Sequence, residues 1–351
     1  MTRISARQLA GTTGPFGRGV AVVRPPEVPE GSVVTVLRVP PEAAGMRLDR
    51  FVQTQLKRTS RTRAAAIVAR GAYSPEAKRL RGGDRVRAEQ CILLWREPWD
   101  EQAPEVEIPV LYEDEDIVAV DKPPFIPVHP TARYHKSTVV KMLEVARQGE
   151  HLYLAHRLDR ETSGVLLLTR NSVADRQVKA QFEERTGMTK RYLAVAWGWP
   201  EEDAFRVDLP LELDPTNRTK VKMRVARPGQ GLPSATRFEV VGRRVHAESG
   251  RRYSLIGCTL ETGRQHQIRV HLTARGLPLV GDKLYGPDDT LFTRGADGEL
   301  TEADNAALEL PRHALHAALL ELTHPIRGGP LRIEAPLAGD LQAFWDQLSE
   351  T

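Results

Sequence analysis

The sequence of 351 residues predicts an α+β protein, with a long mixed, mainly antiparallel sheet and flanking helices in a larger domain and a small α/β domain before it. Two observations carry this prediction. From Val110 onward, strand-like runs outnumber helical patterns and do not alternate strictly with them, which favours α+β over a doubly wound parallel fold. Between residues 46 and 96 the pattern is instead helix, helix, turn and strand.

The small domain is read from three signals. Apolar residues repeat at helical spacing through MRLDRFVQTQL, and Ser60 begins a second helical stretch, TRAAAIVAR, that Gly71 ends. A Gly-Gly-Asp turn then leads into the strand-like run VRAEQCILLW. The preceding segment is rich in Gly and Pro, with one strand-like run, SVVTVLRV. We therefore expect a tail and linker over 1–45, the small domain over 46–100 and the large domain over 101–351.

The large domain has the patterns of a sheet interrupted by helices. DIVAVDKP, GVLLLTR, KRYLAVAWG, ATRFEVVGR, YSLIGCTLET and LRIEAP are typical of strands, and STVVKMLEVARQ, SVADRQVKAQFEE and RQHQIRVHLTARG of helices. Neither a dinucleotide fingerprint nor a phosphate loop occurs, so no nucleotide cofactor is expected. The Gly- and Asp-rich segment 286–310 has no assigned pattern, and we interpret it as a mobile loop.

Composition excludes several classes of protein. Apolar residues make up 40% and charged residues 27%, which is ordinary for a folded chain. Two cysteines, Cys91 and Cys258, cannot build a disulfide scaffold. No apolar run is long enough for a membrane span, and no apolar core of a signal peptide occurs near the start, so the expected compartment is the cytoplasm.

Positive charge is concentrated in the small domain. Residues 46–100 contain 13 Lys and Arg against 6 Asp and Glu, although the whole chain carries only +4. A basic block on a mildly acidic body is typical of a nucleic-acid-binding appendage. A solvated arginine-rich face would produce the same count, and charge alone does not decide between the two.

The string HRLDRETSG, residues 156–164, is the most unusual in the chain. Asp159 lies in a polar turn before an apolar strand, and Arg157 and Arg160 flank it. Opposite charges within about 4–6 Å would keep the carboxylate ionised, as a nucleophile requires. An Asx turn or a helix N-cap formed by Asp159 is the alternative interpretation.

This string resembles the catalytic signature of the RluA family of RNA pseudouridine synthases. Four further strings resemble the same family in the same order, over about residues 108–337: EDEDIVAVDKPPFIPVHP, KRYLAVAWG, ETGRQHQIRVHLTARGLPLVGDKLYG and HALHAALLELTHP. The resemblance implies an enzyme that isomerises uridine in structured RNA to pseudouridine, without a metal or other cofactor. One departure is Phe125, which follows the Lys-Pro turn where many relatives have a glycine.

The resemblance also implies roles for individual residues. Asp159 is expected to be the nucleophile, Tyr192 to stack on the base and take part in proton removal, and Arg269 to pair with the catalytic carboxylate. Asp159 would attack either the anomeric carbon of the sugar or the uracil ring, or would instead remove a proton to give a glycal-like intermediate, and the sequence does not choose among these steps. Arg157 is expected to help hold the flipped base outside the RNA stack. Six further substrate-binding residues are expected in the same strings: His156, Thr162, Ser163, Gly164, Arg264 and His266.

The small domain resembles the RNA-binding domain first seen in a small-subunit ribosomal protein, called S-four-like here. GMRLDRFVQTQLKRTSRTRAAAIVARG and LRGGDRVRAE carry the resemblance, although the middle strand, AYSPEAKR, is shorter than usual. It implies a face that follows RNA phosphates. The expected members of this face are Arg47, Arg50, Lys57, Arg58, Arg61, Arg63 and Arg70.

Other interpretations receive less support. Histidines 266, 271, 313, 316 and 324 suggest zinc, but no Cys pair accompanies them, so no metal site is expected. Asp159 and Glu161 are too close in sequence for a glycosidase pair. Ribosomal RNA is favoured as substrate over transfer RNA, and a non-catalytic RNA-binding or ribosome-assembly protein is the remaining alternative. A monomer is expected.

Overall fold

A computed structural model describes residues 3–4, 22–30, 32–56, 60–96, 104, 106–130, 134, 136–184, 187–217, 219 and 221–350. The chain divides into two compact units, Met1–Gln102 and Ala103–Thr351. None of the helices in the described ranges is long and apolar enough to cross a membrane.

The first unit places two helices on a three-stranded sheet in the order β3-β5-β4. Ser60 caps the second helix, since its hydroxyl oxygen accepts the backbone N–H of Arg63. The two helices share a buried core with β5, which includes Phe51, Val68 and Ile92. The elements are β1 Arg3–Ile4, β2 Val22–Val23, β3 Val33–Arg38, α1 Leu48–Gln55, α2 Arg61–Gly71, β4 Ala72–Tyr73 and β5 Cys91–Arg96.

The structure differs from the expected boundary at residue 46. The strand β3 pairs antiparallel with β5 over its whole length, from Val33 opposite Arg96 to Arg38 opposite Cys91. Val34 and Val36 are buried in a second small core with Trp95. The segment around β3 therefore belongs to the folded small unit and is not a linker, because an apolar strand gains both hydrogen bonds and burial from this pairing.

The second unit is built on one mixed sheet of eleven strands among the described residues. Its main path is β11-β14-β15-β10-β16-β9-β7-β6, and β8, β17 and β18 join at its sides. Only the β9–β16 pairing is parallel within the described part of the chain, so the predicted α+β class with a mainly antiparallel sheet is confirmed. The strands are β6 Val110–Glu113, β7 Ile117–Lys122, β8 Tyr153–Leu154, β9 Ser163–Thr169, β10 Thr189–Trp197, β11 Ala204–Asp208, β12 Leu211–Leu213, β13 Met223–Val225, β14 Ala235–Val245, β15 Arg252–Leu260, β16 Leu315–Thr323, β17 Pro330–Glu334 and β18 Ser349–Glu350.

Helices cover both faces of this sheet where β7 and β9 lie. Alternate residues of these strands point to opposite faces, so Val118 and Leu166 pack with α3 while Ile117 and Leu167 pack with α4. Burial on both faces explains why these strands read as continuous apolar runs. The helices are α3 Val139–Ala146, α4 Ser172–Glu184, α5 Gln267–Ala274, α6 Thr290–Asp297, α7 Glu302–Leu308 and α8 Gly339–Asp346.

The interpretation of segment 286–310 as a mobile loop is wrong. Two helices, α6 and α7, occupy most of it. Thr301 and Asp304 form a reciprocal capping box at the start of α7, and Leu308 at its end is fully buried. The capping box and the buried leucine together stabilise a helix that the composition of the segment did not predict.

Candidate active site

Two elements from distant parts of the sequence form the candidate site. One is the turn before β9, which carries Asp159, and the other is helix α5 with the segment that leads into it; Arg269 lies on the helix. The turn is closed by its own backbone, because the N–H of Thr162 donates to the carbonyl of Asp159 at 3.1 Å. Between the two elements lies a cavity of about 250 Å³. Its lining consists of Arg157, Leu158, Asp159, Thr162, Tyr192, Leu260, Gly263, Arg264, Gln265, His266, Gln267, Ile268, Arg269 and Leu315.

The Asp159 carboxylate lies at the side of this cavity with its side chain 36% exposed. Arg269 Nη1 donates to Asp159 Oδ2 at 3.3 Å, and His266 Nε2 lies 3.6 Å from the same oxygen. Burial disfavours the charged carboxylate, but His266 and Arg269 outweigh that penalty, so the pKa of Asp159 lies below its usual value. Asp159 is therefore ionised at neutral pH.

Arg269 is itself held rigidly by a second carboxylate. Its Nε and Nη2 donate to the two oxygens of Asp282 at 2.7 and 2.8 Å, a bidentate pair that leaves Nη1 for Asp159. Asp282 is fully buried and also accepts the backbone N–H groups of Leu284 and Tyr285. Despite burial, the charge and hydrogen bonds of Arg269 hold the pKa of Asp282 well below its usual range. The guanidinium is thus fixed in orientation before any substrate arrives.

His266 faces Asp159 with a defined tautomer. The Tyr285 hydroxyl oxygen accepts the backbone N–H of Met223 at 2.8 Å, and it lies 2.8 Å from His266 Nδ1. The Asp159 carboxylate, 3.6 Å from Nε2, can only accept, so the tautomer that suits both neighbours carries its proton on Nε2 and accepts the Tyr285 proton at Nδ1. Burial lowers the pKa of His266 to about 4, so the ring is neutral at pH 7 and Arg269 is the positive charge beside Asp159.

Tyr192 forms another wall of the cavity. It lies on β10, between neighbours β15 and β16, and packs against two separate core clusters. Burial and the charge of Asp159 raise the pKa of Tyr192 above its usual value. The phenol consequently keeps its proton at neutral pH and offers a neutral aromatic ring to the cavity.

Known proteins resemble this chain over most of its length. The family described as RNA pseudouridylate synthase matches residues 116–274. The ribosomal large subunit pseudouridine synthase D of Nitrosomonas europaea is 33% identical, over 88% of this chain and 86% of that protein. Its counterpart C of Escherichia coli strain K12 is 34% identical, over 90% of this chain and 97% of that protein. The chain belongs to the RluA family of RNA pseudouridine synthases.

A solved structure of the family agrees with this membership. Human RNA pseudouridylate synthase domain containing 1 superposes with a TM-score of 0.56 and 25% identity, over 72% of this chain and 91% of that one. The chain is therefore an RNA pseudouridine synthase that acts on RNA, and the non-catalytic alternative is set aside.

The structure brings seven of the ten residues expected at the synthase site to the cavity: Arg157, Asp159, Thr162, Tyr192, Arg264, His266 and Arg269. Arg157 is exposed, so its guanidinium is available to RNA, whereas Arg264 is partly buried and donates from Nε to the carbonyl of Pro233 at 3.3 Å. Thr162 has a protein partner, since its hydroxyl lies 2.9 Å from His313 Nε2.

Three expected substrate-binding residues lie outside the cavity lining, and each has a structural role. His156 Nε2 accepts the backbone N–H of Leu167 at 3.0 Å, and its ring stacks on Phe182. The Ser163 hydroxyl is buried between Arg312 and His316. Gly164 has a φ of +102°, and a Cβ on it would lie 2.2 Å from the carbonyl oxygen of Ala317. These three residues stabilise the turn and the contact between β9 and β16. These structural roles explain why the string has these residue types.

Glu161 is turned away from Asp159. Its two oxygens contact Lys283 Nζ at 2.9 Å and His313 Nδ1 at 3.4 Å. Burial opposes its charge, but His313 and Lys283 lower the pKa of Glu161 to about 2. The carboxylate is committed to this ion-paired cluster, which agrees with the low support for a glycosidase pair.

Sequence reasoning missed three residues that support the site: Asp282, Tyr285 and Lys122. The first two lie in the string LPLVGDKLYG, where an acidic residue within a mostly apolar segment was the available signal. Lys122 is fully buried at the end of β7, and its Nζ donates to the carbonyls of Pro123 at 2.8 Å and Arg160 at 3.1 Å. It thus ties the Lys-Pro turn to the residue next to Asp159, and burial lowers its pKa to about 7.

The histidines considered as zinc ligands do not gather into one site. Among the described residues, Asp114, Asp116 and His324 are the only group of three with ligand atoms close together. Asp114 there already accepts hydrogen bonds from His324, from Arg327 and from backbone N–H groups. Its carboxylate is therefore used within the protein.

The basic residues of the first unit lie on its surface. Arg50, Arg61, Arg63 and Arg70 are exposed, and the last three lie on α2. Arg47 is also exposed but donates to Asp49, which neutralises part of its charge. Lys57 and Arg58 lie outside the described residues.

Proposed function

We propose that this enzyme converts one or more uridines of large-subunit ribosomal RNA to pseudouridine, with Asp159 as nucleophile. The observation that carries the assignment of Asp159 is its ion pair with Arg269, which Asp282 holds in place. A carboxylate that is ionised, partly exposed and rigidly oriented at a cavity wall is what attack on a flipped nucleoside requires.

The choice of ribosomal RNA follows from the relatives. Those compared above are named as ribosomal large subunit pseudouridine synthases, and the alignments span 86% and 97% of their lengths. A substrate of this kind is met in the cytoplasm. One copy of the chain supplies Asp159, Arg269 and Tyr192 together, so the proposed reaction needs no residue from a second copy, and we propose that the enzyme acts as a monomer.

The reaction needs little beyond positioning. The N1–C1′ bond of the uridine breaks, the uracil turns, a C5–C1′ bond forms, and a proton moves from C5 to N1. Atoms and electrons balance within the substrate, so no redox partner takes part. Asp159 supplies the charged oxygen that attacks the sugar or the ring, and the neutral Tyr192 ring supplies a stacking face that offsets the cost of unstacking the base.

In this proposal the first unit increases the affinity of the enzyme for RNA. The exposed arginines of α2 contact RNA phosphates, which contributes binding without reading sequence. Two helices on a three-stranded sheet with an arginine-rich helix support the S-four-like assignment.

A pseudouridine map of ribosomal RNA tests the proposal. Carbodiimide mapping compares cells with and without the gene, and complementation uses either the wild type or Asp159→Asn. We expect one or a few lost sites in large-subunit RNA that the wild type restores and Asp159→Asn does not. Restoration by Asp159→Asn would refute the nucleophile, and a lost site confined to transfer RNA would refute the substrate.

A further inference from the structure

Phe125 is a bulky residue in a conformation that suits glycine. Its φ is +68°, in the left-handed region that is unfavourable for a residue with a Cβ atom. The ring is only partly buried in return, because Phe125 is 38% exposed. Packing within the protein therefore leaves more than a third of this aromatic residue open to solvent.

The turn that carries Phe125 is joined to the catalytic turn. Arg160, the residue after Asp159, donates from Nε to the carbonyl of Phe125 at 2.9 Å. The buried Lys122 bonds the carbonyls of both Pro123 and Arg160. These three hydrogen bonds hold the Phe125 backbone at a fixed place relative to the Asp159 carboxylate.

The surroundings of Phe125 suit single-stranded RNA. The exposed Arg160 guanidinium lies 5.4 Å from the centre of the Tyr134 ring, and Arg157, exposed nearby in sequence, lines the cavity. Aromatic faces beside arginines are the combination that stacks unpaired bases and neutralises the phosphates that join them.

We propose that Phe125 stacks on an unpaired nucleobase next to the target uridine and so forms a second base subsite beside the cavity. This inference rests on the proposed function for its RNA, but it assigns a binding role that the Asp159 chemistry does not require. The left-handed backbone presents the ring outward, and the stacked base covers it in the complex.

The test measures RNA affinity in the full-length chain with Asp159→Asn, so that the RNA stays unmodified. The probe is an unmodified in vitro transcript of large-subunit ribosomal RNA. Phe125→Leu removes the aromatic face and keeps an apolar side chain, Phe125→Gly also relieves the backbone, and Phe125→Trp keeps an aromatic face. Ile326→Gly is the matched control, since Ile326 is another exposed apolar turn residue.

We expect Phe125→Leu and Phe125→Gly to raise the Kd about fivefold or more, as loss of one base stack does. Phe125→Trp and Ile326→Gly should leave it within about twofold. The melting temperature of Phe125→Gly should be unchanged or higher, because glycine accepts this φ.

The subsite would be overturned if Phe125→Gly bound the transcript as tightly as the Asp159→Asn parent. It would also be overturned if Phe125→Trp lost as much RNA affinity as Phe125→Leu. A lower melting temperature in Phe125→Gly would assign the ring to folding instead. In each of these outcomes the mapping result with Asp159→Asn still decides the proposed function independently. Failure of the parent itself to bind the transcript would count against both.

Discussion

The cavity of the second unit and the basic face of the first unit use positive charge in opposite ways. Arg269 is buried and bonded to two carboxylates. Arg61, Arg63 and Arg70 are exposed, and no carboxylate among the described residues lies within ion-pair distance of them. The first arrangement fixes one carboxylate in one orientation, and the second leaves charges available to any phosphate.

This difference separates chemistry from affinity. A buried guanidinium with fixed partners needs no reorganisation when the substrate binds, so it acts on the reacting atoms. Exposed arginines act through release of counterions, so their effect depends strongly on salt and only weakly on geometry. Variants at the two places should therefore fail in different measurements.

The largest effect is expected from Arg269→Lys. Lysine keeps the charge but cannot bond Asp282 with two parallel donors and Asp159 with a third, so kcat should fall about 100-fold or more. The acidic limb of the kcat/KM profile should move to higher pH, because the pKa of Asp159 rises when the nearby cation withdraws. Arg275→Lys, at the exposed end of the same helix, is the control. An unshifted acidic limb would show that Arg269 only supports the fold.

A smaller effect is expected from replacing Arg61, Arg63 and Arg70 together by Gln. Affinity for RNA should fall about tenfold at physiological salt, and the slope of log K against log salt should flatten by about 2, with kcat at saturating RNA unchanged. The charge-matched control replaces three arginines that are ion-paired on the surface of the second unit, Arg206, Arg327 and Arg332. The same slope in both triple variants would mean that the basic face reflects net charge alone.

Tyr285→Phe should have a modest effect on catalysis. It removes the hydroxyl that donates to His266 and accepts the N–H of Met223. The loss of one such hydrogen bond corresponds to about a fivefold fall in kcat, with KM nearly unchanged. Tyr253→Phe, at a buried tyrosine that bonds Glu309, is the control. A rise in KM with an unchanged kcat would contradict a role of Tyr285 in orienting His266.

A last contrast concerns the free energy of unfolding as a function of pH, and not catalysis or RNA binding. Burial lowers the pKa of His156 to about 3 and of His266 and His316 to about 4. The unfolded chain therefore binds protons below about pH 6.5 that the folded chain does not, so stability present at pH 7 is lost as the pH falls towards 4. Each ring contributes about 1.4 kcal/mol per pH unit in that range.

Urea unfolding at pH 7, 6 and 5 measures this loss. His156→Gln keeps an acceptor for the N–H of Leu167 and should flatten the dependence. An equal slope in the variant and the wild type would mean that His156 is not held neutral by the fold.

Local sequence patterns were sufficient to predict the α+β class, the strands that carry apolar runs and the turn that carries Asp159. These features follow from the spacing of apolar residues and from short sequence strings, and both signals lie within a few consecutive residues. The pairing of Asp159 with Arg269 was expected from resemblance to the family, and the two residues are 110 positions apart.

The surroundings of these residues depend on how distant segments of the chain pack together. In the structure, Asp282, Tyr285 and Lys122 support the site. His156, Ser163 and Gly164 lie outside the cavity lining. The strand β3 belongs to the small unit. A polar residue in a sequence string has the same letter whether it faces substrate or satisfies a buried backbone group. Burial and hydrogen-bond partners, which arise when distant segments pack, make that distinction.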